Sequence, residues 1–385
     1  MKYQQNITKQ FGTIIGIDLG DIRHAVCVTD KGGNILEEKS IINRRECFEE
    51  LAEQYPDALI AMEVGTHSPW ISRLFASLGA EVVVANARKL RAIYQNDRKC
   101  DLLDARMLAK LVRVDRDLLS PIKHSSEETQ RDFISIKLRD TLVRQRVNVI
   151  SSVRFTLKSL GIRLPAPSTS SFAKAARHYL QNNDFPELLT TIEPCLRVID
   201  ELSAQIKELD KKIVKAIDEK YQHAQRPRQV DGVGPVTALS FVLAVEDPNR
   251  FPDPRDVGAY FGLVPRRDQS GESDKQLPIS KAGNQHVRRL LVQSAQYILG
   301  HYGPDCDLRR YGLRLAARGG KAAKKKAVIA VARKLAVLLL VMWQTDSDYE
   351  PLKNAKAADA KKKAEEKSKA EKSETICEEK TAHAA

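Results

Sequence analysis

The amino-acid sequence predicts an α/β domain followed by a mostly α-helical region. Short apolar runs alternate with helix-like segments in the first third of the chain, which favours an α/β layer architecture. From residue 126 onward, apolar residues recur every three or four positions, as they do along one face of an α-helix. After residue 350 the chain is rich in Ala, Lys and Glu without an apolar period, so we expect a disordered, solvated tail.

The first domain begins with three predicted strands joined as a meander. TIIGIDLG is a buried apolar run containing Asp18, HAVCVTD follows it, and the turn KGG leads into NILEEKSI. A helix near residues 44–54 precedes the strand ALIAME at 58–63. SPWISRLFASLG predicts a helix with Ser68 as its cap and Gly79 as its stop, before the strand AEVVVAN and the helix DLLDARMLAKLVR. This order is that of a ribonuclease-H-like α/β domain.

Two long apolar patterns follow, separated by LPAPSTSS at residues 164–171. The second has the spacing of a heptad seam, formed by Ile199, Leu202, Ile206, Leu209 and Ile213. The two helices predict either an antiparallel hairpin within the chain or a dimerising coiled coil. We therefore divide the chain into an α/β domain (1–122), a helical linker (123–225), a mostly helical domain with its own core (226–345) and a charged tail (346–385).

The chain is strongly basic. Its 385 residues include 63 Lys and Arg against 50 Asp and Glu, a formal net charge of +13, which favours nucleic acid or an acidic membrane face as partner. We expect no membrane span, because no run reaches the roughly 18 apolar residues required, and the first residues lack a signal-peptide core. The six scattered cysteines form no CxxC pair, which favours reduced thiols in the cytoplasm over a zinc or disulfide scaffold.

Four carboxylates lie at the ends of predicted elements. Asp18 ends the first strand and Glu63 ends the fourth. Asp101 and Asp104 are three residues apart at a helix start, so they project from one face. If the first and fourth strands are neighbours, all four carboxylates converge at one end of the sheet. Such a cluster repels itself without cations, and oxygen ligands suit Mg²⁺ or Mn²⁺. Two such ions about 4 Å apart can stabilise the attacking and leaving oxygens of a phosphodiester displacement.

Each carboxylate also has an ordinary structural interpretation. A strand-terminal Asp such as Asp18 is often a turn former, and an Asp in the first helical turn, such as Asp101, often interacts with the helix dipole. Asp97 lies one turn before Asp101 and could replace it geometrically. GIDLG also occurs at the phosphate-loop entry of actin-like ATPases and sugar kinases, but the second phosphate loop and the adenosine motif of those proteins are not found here.

A second group of residues lies between 228 and 295. VDGVGPVTA places Gly232 and Gly234 at a helix entry, where exposed backbone N–H groups can contact a phosphate or simply form a turn. In the QSG turn, Ser270 precedes Gly271, which permits close approach to a phosphorus centre. Surrounding arginines would activate the hydroxyl and hold the phosphate. Ser273 and Ser280 are competing candidates. The basic residues expected to bind nucleic acid here are Arg266, Arg267, Lys281, Arg288 and Arg289, with Lys275 also beside the turn.

Taken together, these motifs resemble those of the insertion-sequence-110 family of DEDD transposases, over residues 13–345. The resemblance rests on IGIDLG, IAMEVGTHSPW and KCDLLDARMLAKL in the first domain, and on VDGVGPVTA, AYFGLVPRRDQSG and ISKAGNQHVRRLL in the last. The family pattern has Thr or Ser before the first helix Asp, where this chain has Cys100. The charged tail is not part of the pattern.

The resemblance implies a RuvC-like catalytic domain, a dimerising helical linker and a transposase domain that supplies a serine. By matching motifs, the metal-binding carboxylates would be Asp18, Glu63, Asp101 and Asp104, and Ser270 would be the nucleophile. Family members also use a structured RNA, transcribed from the element, that pairs with target and donor DNA. We therefore expect a nucleoid-associated recombinase acting as a dimer or tetramer. The basic run at 309–326 would either contact phosphates or form a solvated helix face.

Two other functions remain open from the sequence. The first is a metal-dependent Holliday-junction-type endonuclease, in which the carboxylates alone cut the DNA. The second is a nucleic-acid-binding protein without catalysis.

Overall fold

The computed structural model describes residues 11–89, 100–165, 168–183 and 185–354. It divides the chain into two compact units, Met1–Ser126 and Glu127–Ala385. The predicted helical linker, apart from its first four residues, and the last predicted domain thus fall in one unit. The predicted tail lies outside the described residues from 355 onward.

The first unit is built on a five-stranded mixed sheet. Its strand order is β3-β2-β1-β4-β5; β1 pairs antiparallel with β2 and parallel with β4. This confirms the predicted meander and the expected neighbourhood of the first and fourth strands. The elements are β1 (Thr13–Asp18), β2 (Arg23–Asp30), β3 (Ile35–Ile42), α1 (Arg45–Gln54), β4 (Leu59–Glu63), α2 (Ser68–Ser77), β5 (Glu81–Ala85) and α3 (Asp101–Val114).

Strand alternation gives this sheet two buried faces. Ile15 and Ile17 of β1 belong to the face covered by α1 and α2, where Phe48 and Phe75 are fully buried. Residues of opposite parity, such as Ile14 in β1, pack against Leu108, Ala109 and Val112 of α3. The apolar runs of the sequence are therefore strands buried on both sides, as parallel strands usually are.

The start of α2 differs from the prediction. Ser68 is the first helical residue rather than the cap, and His67 holds the cap position. The Ser68 hydroxyl instead bonds the backbone of Gly65, accepting from its N–H at 3.0 Å and donating to its carbonyl at 2.9 Å. The predicted stop is confirmed, because Gly79 adopts φ +91° directly after the helix.

The second unit is mostly helical, as predicted, with one two-stranded hairpin that the prediction missed. Its elements are α4 (Glu127–Lys158), α5 (Phe172–Asn182), α6 (Pro186–Glu219), α7 (Pro235–Val245), α8 (Asp256–Tyr260), β6 (Pro265–Ser270), β7 (Ser273–Ile279), α9 (Gln285–Leu299), α10 (Asp307–Ala316) and α11 (Gly320–Gln344).

Helices α4 and α6 pair antiparallel within the chain. Arg139 of α4 donates to Asp210 of α6 at 2.9 Å, and Arg146 donates to the Ser203 hydroxyl at 3.1 Å. The heptad seam is already buried by this pairing, since Ile199, Ile206 and Ile213 are at most 4% exposed. Of the two predicted arrangements the structure has the hairpin, so these three isoleucines are not free to form a seam with a second copy.

Helix α11 is central to the core of the second unit. Val331, Leu335 and Leu339 are fully buried there. Among the described residues, only this helix is long and apolar enough to cross a membrane by length and composition. Arg333 and Lys334 interrupt its apolar residues, so it contains no uninterrupted run of 18, and the residues that make it apolar are those that fill the core of the unit.

Candidate active site and nucleic-acid interface

The β1–β4 register places two of the predicted carboxylates side by side. Ile17 pairs with Met62 in the parallel ladder, and the next residues along the two strands are Asp18 and Glu63. Alternate residues of a strand lie on the same face of the sheet, so Asp18 shares a face with Gly16, and Glu63 shares it with Ala61. That face is covered by α3. Asp18 and Glu63 therefore lie at one edge of the sheet, on the α3 side.

Helix α3 brings the other two carboxylates to the same edge. It runs antiparallel to β1, because its Ala105 lies against Gly16 whereas Arg113, near its end, lies against Gly33 in the distant β2–β3 turn. Its first turn, with Asp101 and Asp104, is thus directed toward the end of β1 that carries Asp18.

An ion pair fixes α3 across the sheet. The Arg106 guanidinium donates to both carboxylate oxygens of Glu38 in β3, and these hydrogen bonds lower the pKa of Glu38 below its ordinary value. This pair is separate from the four candidate carboxylates, and it holds the helix that carries two of them.

The four side chains share an edge without forming a closed cluster. Across the residues that the structure describes, no three His, Cys, Asp or Glu side chains are gathered closely enough to hold a metal ion together. Asp97, the alternative to Asp101, lies outside the described residues. The donor set still suits a hard divalent cation, since all four groups are carboxylates on three elements that meet at one edge.

The loop after Glu63 is held by residues that the sequence prediction did not select for this role. The Ser68 hydroxyl, already bonded to Gly65, lies 3.0 Å from Nε2 of His124. Because that hydroxyl donates to the Gly65 carbonyl, His124 serves as the donor to it; burial lowers the pKa of His124, which favours the neutral ring. In the sequence, the polar segment THS between the strand ending at Glu63 and Pro69 could have indicated these loop contacts.

His67 supplies a second anchor for the same loop. The indole N–H of Trp70 donates to its Nδ1 at 3.3 Å, so the proton is on Nε2, which lies 3.0 Å from Asp21 Oδ1. Asp21 follows β1 and His67 follows β4. The loops that extend both carboxylate-bearing strands are thereby linked.

We expect Gly16→Ala to misplace α3 and destabilise the first unit. A Cβ there would lie 2.7 Å from the Ala109 amide nitrogen and closer still to the Ala105 carbonyl oxygen, and backbone atoms cannot rotate away. The expected loss is about 3 kcal/mol of unfolding free energy, measured by denaturant titration. Gly12→Ala is the matched control, because no atom lies within 4 Å of the added carbon. Equal stability of the two variants would contradict the described packing of α3.

Ser270 lies near the tip of the β6–β7 hairpin. It pairs with Ser273 across a two-residue loop whose first residue, Gly271, has φ +54°, as in a type II′ turn. Every residue from Pro265 to Ser270 is exposed. Ser280, the third candidate, lies beyond the hairpin base, where its Oγ accepts weakly from the Ala282 N–H at 3.4 Å. Ser270 and Ser273 are thus both accessible to a large substrate.

The five predicted basic residues lie in different surroundings. Arg266 is exposed, and Arg267 makes two 2.7 Å hydrogen bonds to Asp274 across the hairpin, which lower the pKa of that carboxyl. Arg288 does not fit the predicted phosphate contact. It is 9% exposed and donates to the Phe261 and Ala282 carbonyls, because it closes the loop beneath the hairpin. The remaining two are Lys281, with φ +53°, and Arg289, which pairs with Asp140 of α4.

The predicted run at 309–326 is also mixed. Arg309 donates to the carbonyls of Ile298 and Gly300, both at 2.6 Å, and so stabilises the turn after α9. Arg314 and the lysines at the start of α11 are exposed. Gly234 is the cap of α7, and Gly232 has φ +85°, so the predicted helix entry is confirmed.

Two family models match separate parts of this chain. Residues 15–162 match a family model of transposases of the IS110 DEDD type, and residues 224–309 match the model described as transposase IS116/IS110/IS902 family. The transposase for insertion sequence element IS1111A of Coxiella burnetii is 25% identical over 87% of this chain and 91% of its own length. That for IS1328 of Yersinia enterocolitica is 27% identical over 74% of this chain and 83% of its own.

A shorter match is to a protein of Moraxella bovis named pilin gene-inverting protein. It is 29% identical over 34% of this chain and 41% of its own length.

Proposed function

Because the chain belongs to the IS116/IS110/IS902 family of transposases, we propose that it moves an insertion element by a serine-dependent strand exchange. As a transposase it cleaves DNA and transfers strands. The observation that carries the serine route is the exposed Ser270 near the tip of a hairpin that also carries the exposed Arg266 and Lys275. A relative named for inverting a gene supports recombination rather than simple cutting.

In this proposal the first unit is RuvC-like and its carboxylates bind divalent cations. Transposases of the DEDD type generally use divalent metal ions, and we assign Mg²⁺ or Mn²⁺ to Asp18, Glu63, Asp101 and Asp104. The metal would stabilise charge on the attacking and leaving oxygens. The support is the shared sheet edge, the parity of the strands and the direction of α3.

In the second unit Ser270 would form the covalent link to DNA. Its oxygen attacks a DNA phosphorus, an Oγ–P bond forms, and a P–O bond to the adjoining sugar breaks, leaving a hydroxyl end that takes the serine proton. The phosphoserine ester conserves the energy of the broken bond, so the reverse attack by another hydroxyl end rejoins strands without an external energy source. Exposed Arg266 and the neighbouring Lys275 would hold the phosphate.

The partners proposed with this activity are the element ends, the target DNA and a structured guide RNA, within the cytoplasm and at the nucleoid. We also propose a homo-oligomer, dimer or tetramer. Its interface would use apolar side chains that remain exposed on the helical hairpin, such as Leu138 and Phe155, rather than the buried seam. The molar mass from light scattering measures this directly.

A denaturing gel separates the serine route from its alternatives. We expect the purified protein, with Mg²⁺ and labelled DNA carrying an element end, to give a slow-migrating band that protease removes. Free 5′-phosphate ends without that band would instead establish the Holliday-junction-type endonuclease. Unchanged DNA under conditions where binding is demonstrated would indicate a binding protein.

A further inference from the structure

A large groove crosses the second unit beside the hairpin. Its volume is about 1670 Å³, above the roughly 300–1,000 Å³ typical of small-molecule pockets. Residues 276–279 of β7 form one wall, α10 and α11 form the sides, and residues 347–351 border it. A groove of this size suits a stretch of polymer better than a single small metabolite.

The groove combines an apolar floor with a basic rim. Leu263, Leu277, Ile329, Val337 and Leu338 contribute apolar side chains. Eight Lys and Arg residues line the groove against three Asp and Glu residues, and five of the eight are Arg314, Lys325, Lys326, Arg333 and Lys334.

The acidic residues of the groove are bonded to other groups. Asp348 accepts from Arg226 at 2.8 Å, and Asp307 accepts from the Asn354 N–H at 2.7 Å. Glu350 lies 3.9 Å from Lys353. Two of the eight basic residues are also paired, Arg310 with Asp305 at 2.6 Å and Lys353 with Glu350, so the positive charge offered to an anionic ligand comes from the other six.

One aromatic side chain in the groove suits base stacking. Tyr311 of α10 lines the groove, and the Lys334 ammonium lies 3.8 Å from the centre of its ring. The ammonium lies over one face of that ring, so a base that stacks there would displace it. Aromatic side chains within basic grooves are the usual platform for bases of single-stranded nucleic acid. In a duplex the bases are stacked inside the double helix, so the apolar floor of the groove would have no base to contact.

We propose that this groove binds an unpaired nucleic-acid strand, with its bases on the apolar floor and its phosphates on the basic rim. The inference rests on the proposed function and deepens it. Because β7 is both a wall of the groove and the strand that pairs with Ser270, a strand in the groove would lead along the hairpin to the nucleophile. The groove thereby positions the phosphate that Ser270 attacks.

Two lysines on α11 give a matched test. Lys326 lines the groove and Lys324, two residues earlier on the same exposed turn, does not. We expect Lys326→Glu to weaken binding of fluorescent oligodeoxyuridine and oligouridine, which differ only in the sugar, about tenfold or more, and to reduce the salt dependence of affinity. Lys324→Glu should change it less than about threefold, since only the long-range field is altered. Tyr311→Leu should cost about tenfold through lost stacking. Anisotropy titrations without divalent metal measure binding alone, and thermal melts verify that each variant is folded.

Several results would overturn the assignment. Equal weakening by Lys324→Glu and Lys326→Glu would mean a diffuse field rather than a groove contact. Weakening of duplex binding as large as that of single strands would exclude an unpaired occupant. Binding to anionic phospholipid vesicles that Lys326→Glu abolishes, with no loss for oligonucleotides, would assign the groove to a membrane. A preference between the two oligonucleotides identifies the strand as DNA or RNA. The Ser270 adduct in wild-type protein is scored separately, so failure of the groove proposal leaves the proposed function standing.

Discussion

Ser270→Ala is expected to abolish strand exchange while leaving the protein folded. The side chain is exposed and makes no described hydrogen bond, so removing one oxygen should change the unfolding free energy by less than about 0.5 kcal/mol. Recombination should fall at least about a thousandfold, because no other group forms the phosphoserine link. Binding of DNA should persist, since phosphate contacts come from neighbouring basic residues. A recombination assay on a plasmid carrying both element ends, with binding measured in parallel, gives both quantities.

Ser273→Ala is the matched control for this variant. Ser273 pairs directly with Ser270 across the hairpin and is also exposed, but it follows the turn instead of preceding Gly271. We expect near wild-type recombination from it. Full recombination by Ser270→Ala, or loss only in Ser273→Ala, would contradict the assignment of the nucleophile.

Asp104→Asn is expected to abolish cleavage without loss of the fold. The amide keeps the shape of the side chain but removes a charged oxygen ligand. Since loss of a residue that only supports a metal ligand typically costs 10–100-fold, loss of a direct ligand should cost at least about a hundredfold. The unfolding free energy should change by less than about 1 kcal/mol, because the relief of repulsion at the acidic edge is offset by loss of the favourable interaction with the N-terminus of α3. Cleavage rates over a Mg²⁺ and Mn²⁺ titration, together with thermal melts, measure both effects.

Asp117→Asn provides the comparison. Asp117 is an exposed Asp of the same unit, beyond the opposite end of α3 from Asp104. We expect it to cleave normally and to keep its metal dependence. Wild-type cleavage by Asp104→Asn in Mg²⁺ would remove Asp104 from the site.

The carboxylate edge could be predicted because it follows from backbone rules. Buried strands are apolar, so the polar residues that end them, Asp18 and Glu63, are visible in the sequence. Once β1 and β4 are neighbours and parallel, their ends must meet at one edge. The closeness of the four side chains does not follow from such rules, since it depends on rotamers and on the segment between Lys89 and Cys100.

The serine hairpin could not be found by the same reasoning. Every residue of β6 and nearly every residue of β7 is exposed, so no alternation of apolar and polar residues marks them as strands. The remaining signal was Gly271 between two polar runs, which is compatible with any loop. The sequence therefore predicted the turn but not the two strands on either side of it.

Two further differences between the sequence predictions and the structure have the same cause. A heptad pattern does not show whether its partner helix lies in the same chain or in another. The pattern that includes Ile206 was therefore compatible with both the hairpin and the coiled coil. An arginine that caps buried carbonyls looks the same in a sequence as one that binds phosphate, so Arg288 was placed among the ligand contacts. In each case the partner of the side chain is set by tertiary packing.

The serine mechanism is tested most directly by identifying the residue that becomes covalently attached to DNA. Wild-type protein is incubated with a DNA end and the required divalent metal, trapped with denaturant, digested with protease and nuclease, and analysed by peptide mass spectrometry. We expect a nucleotide phosphodiester on Ser270, absent from Ser270→Ala and unchanged in Ser273→Ala. Efficient cleavage with no adduct on any serine, or an adduct on Ser273 or Ser280 alone, would contradict it.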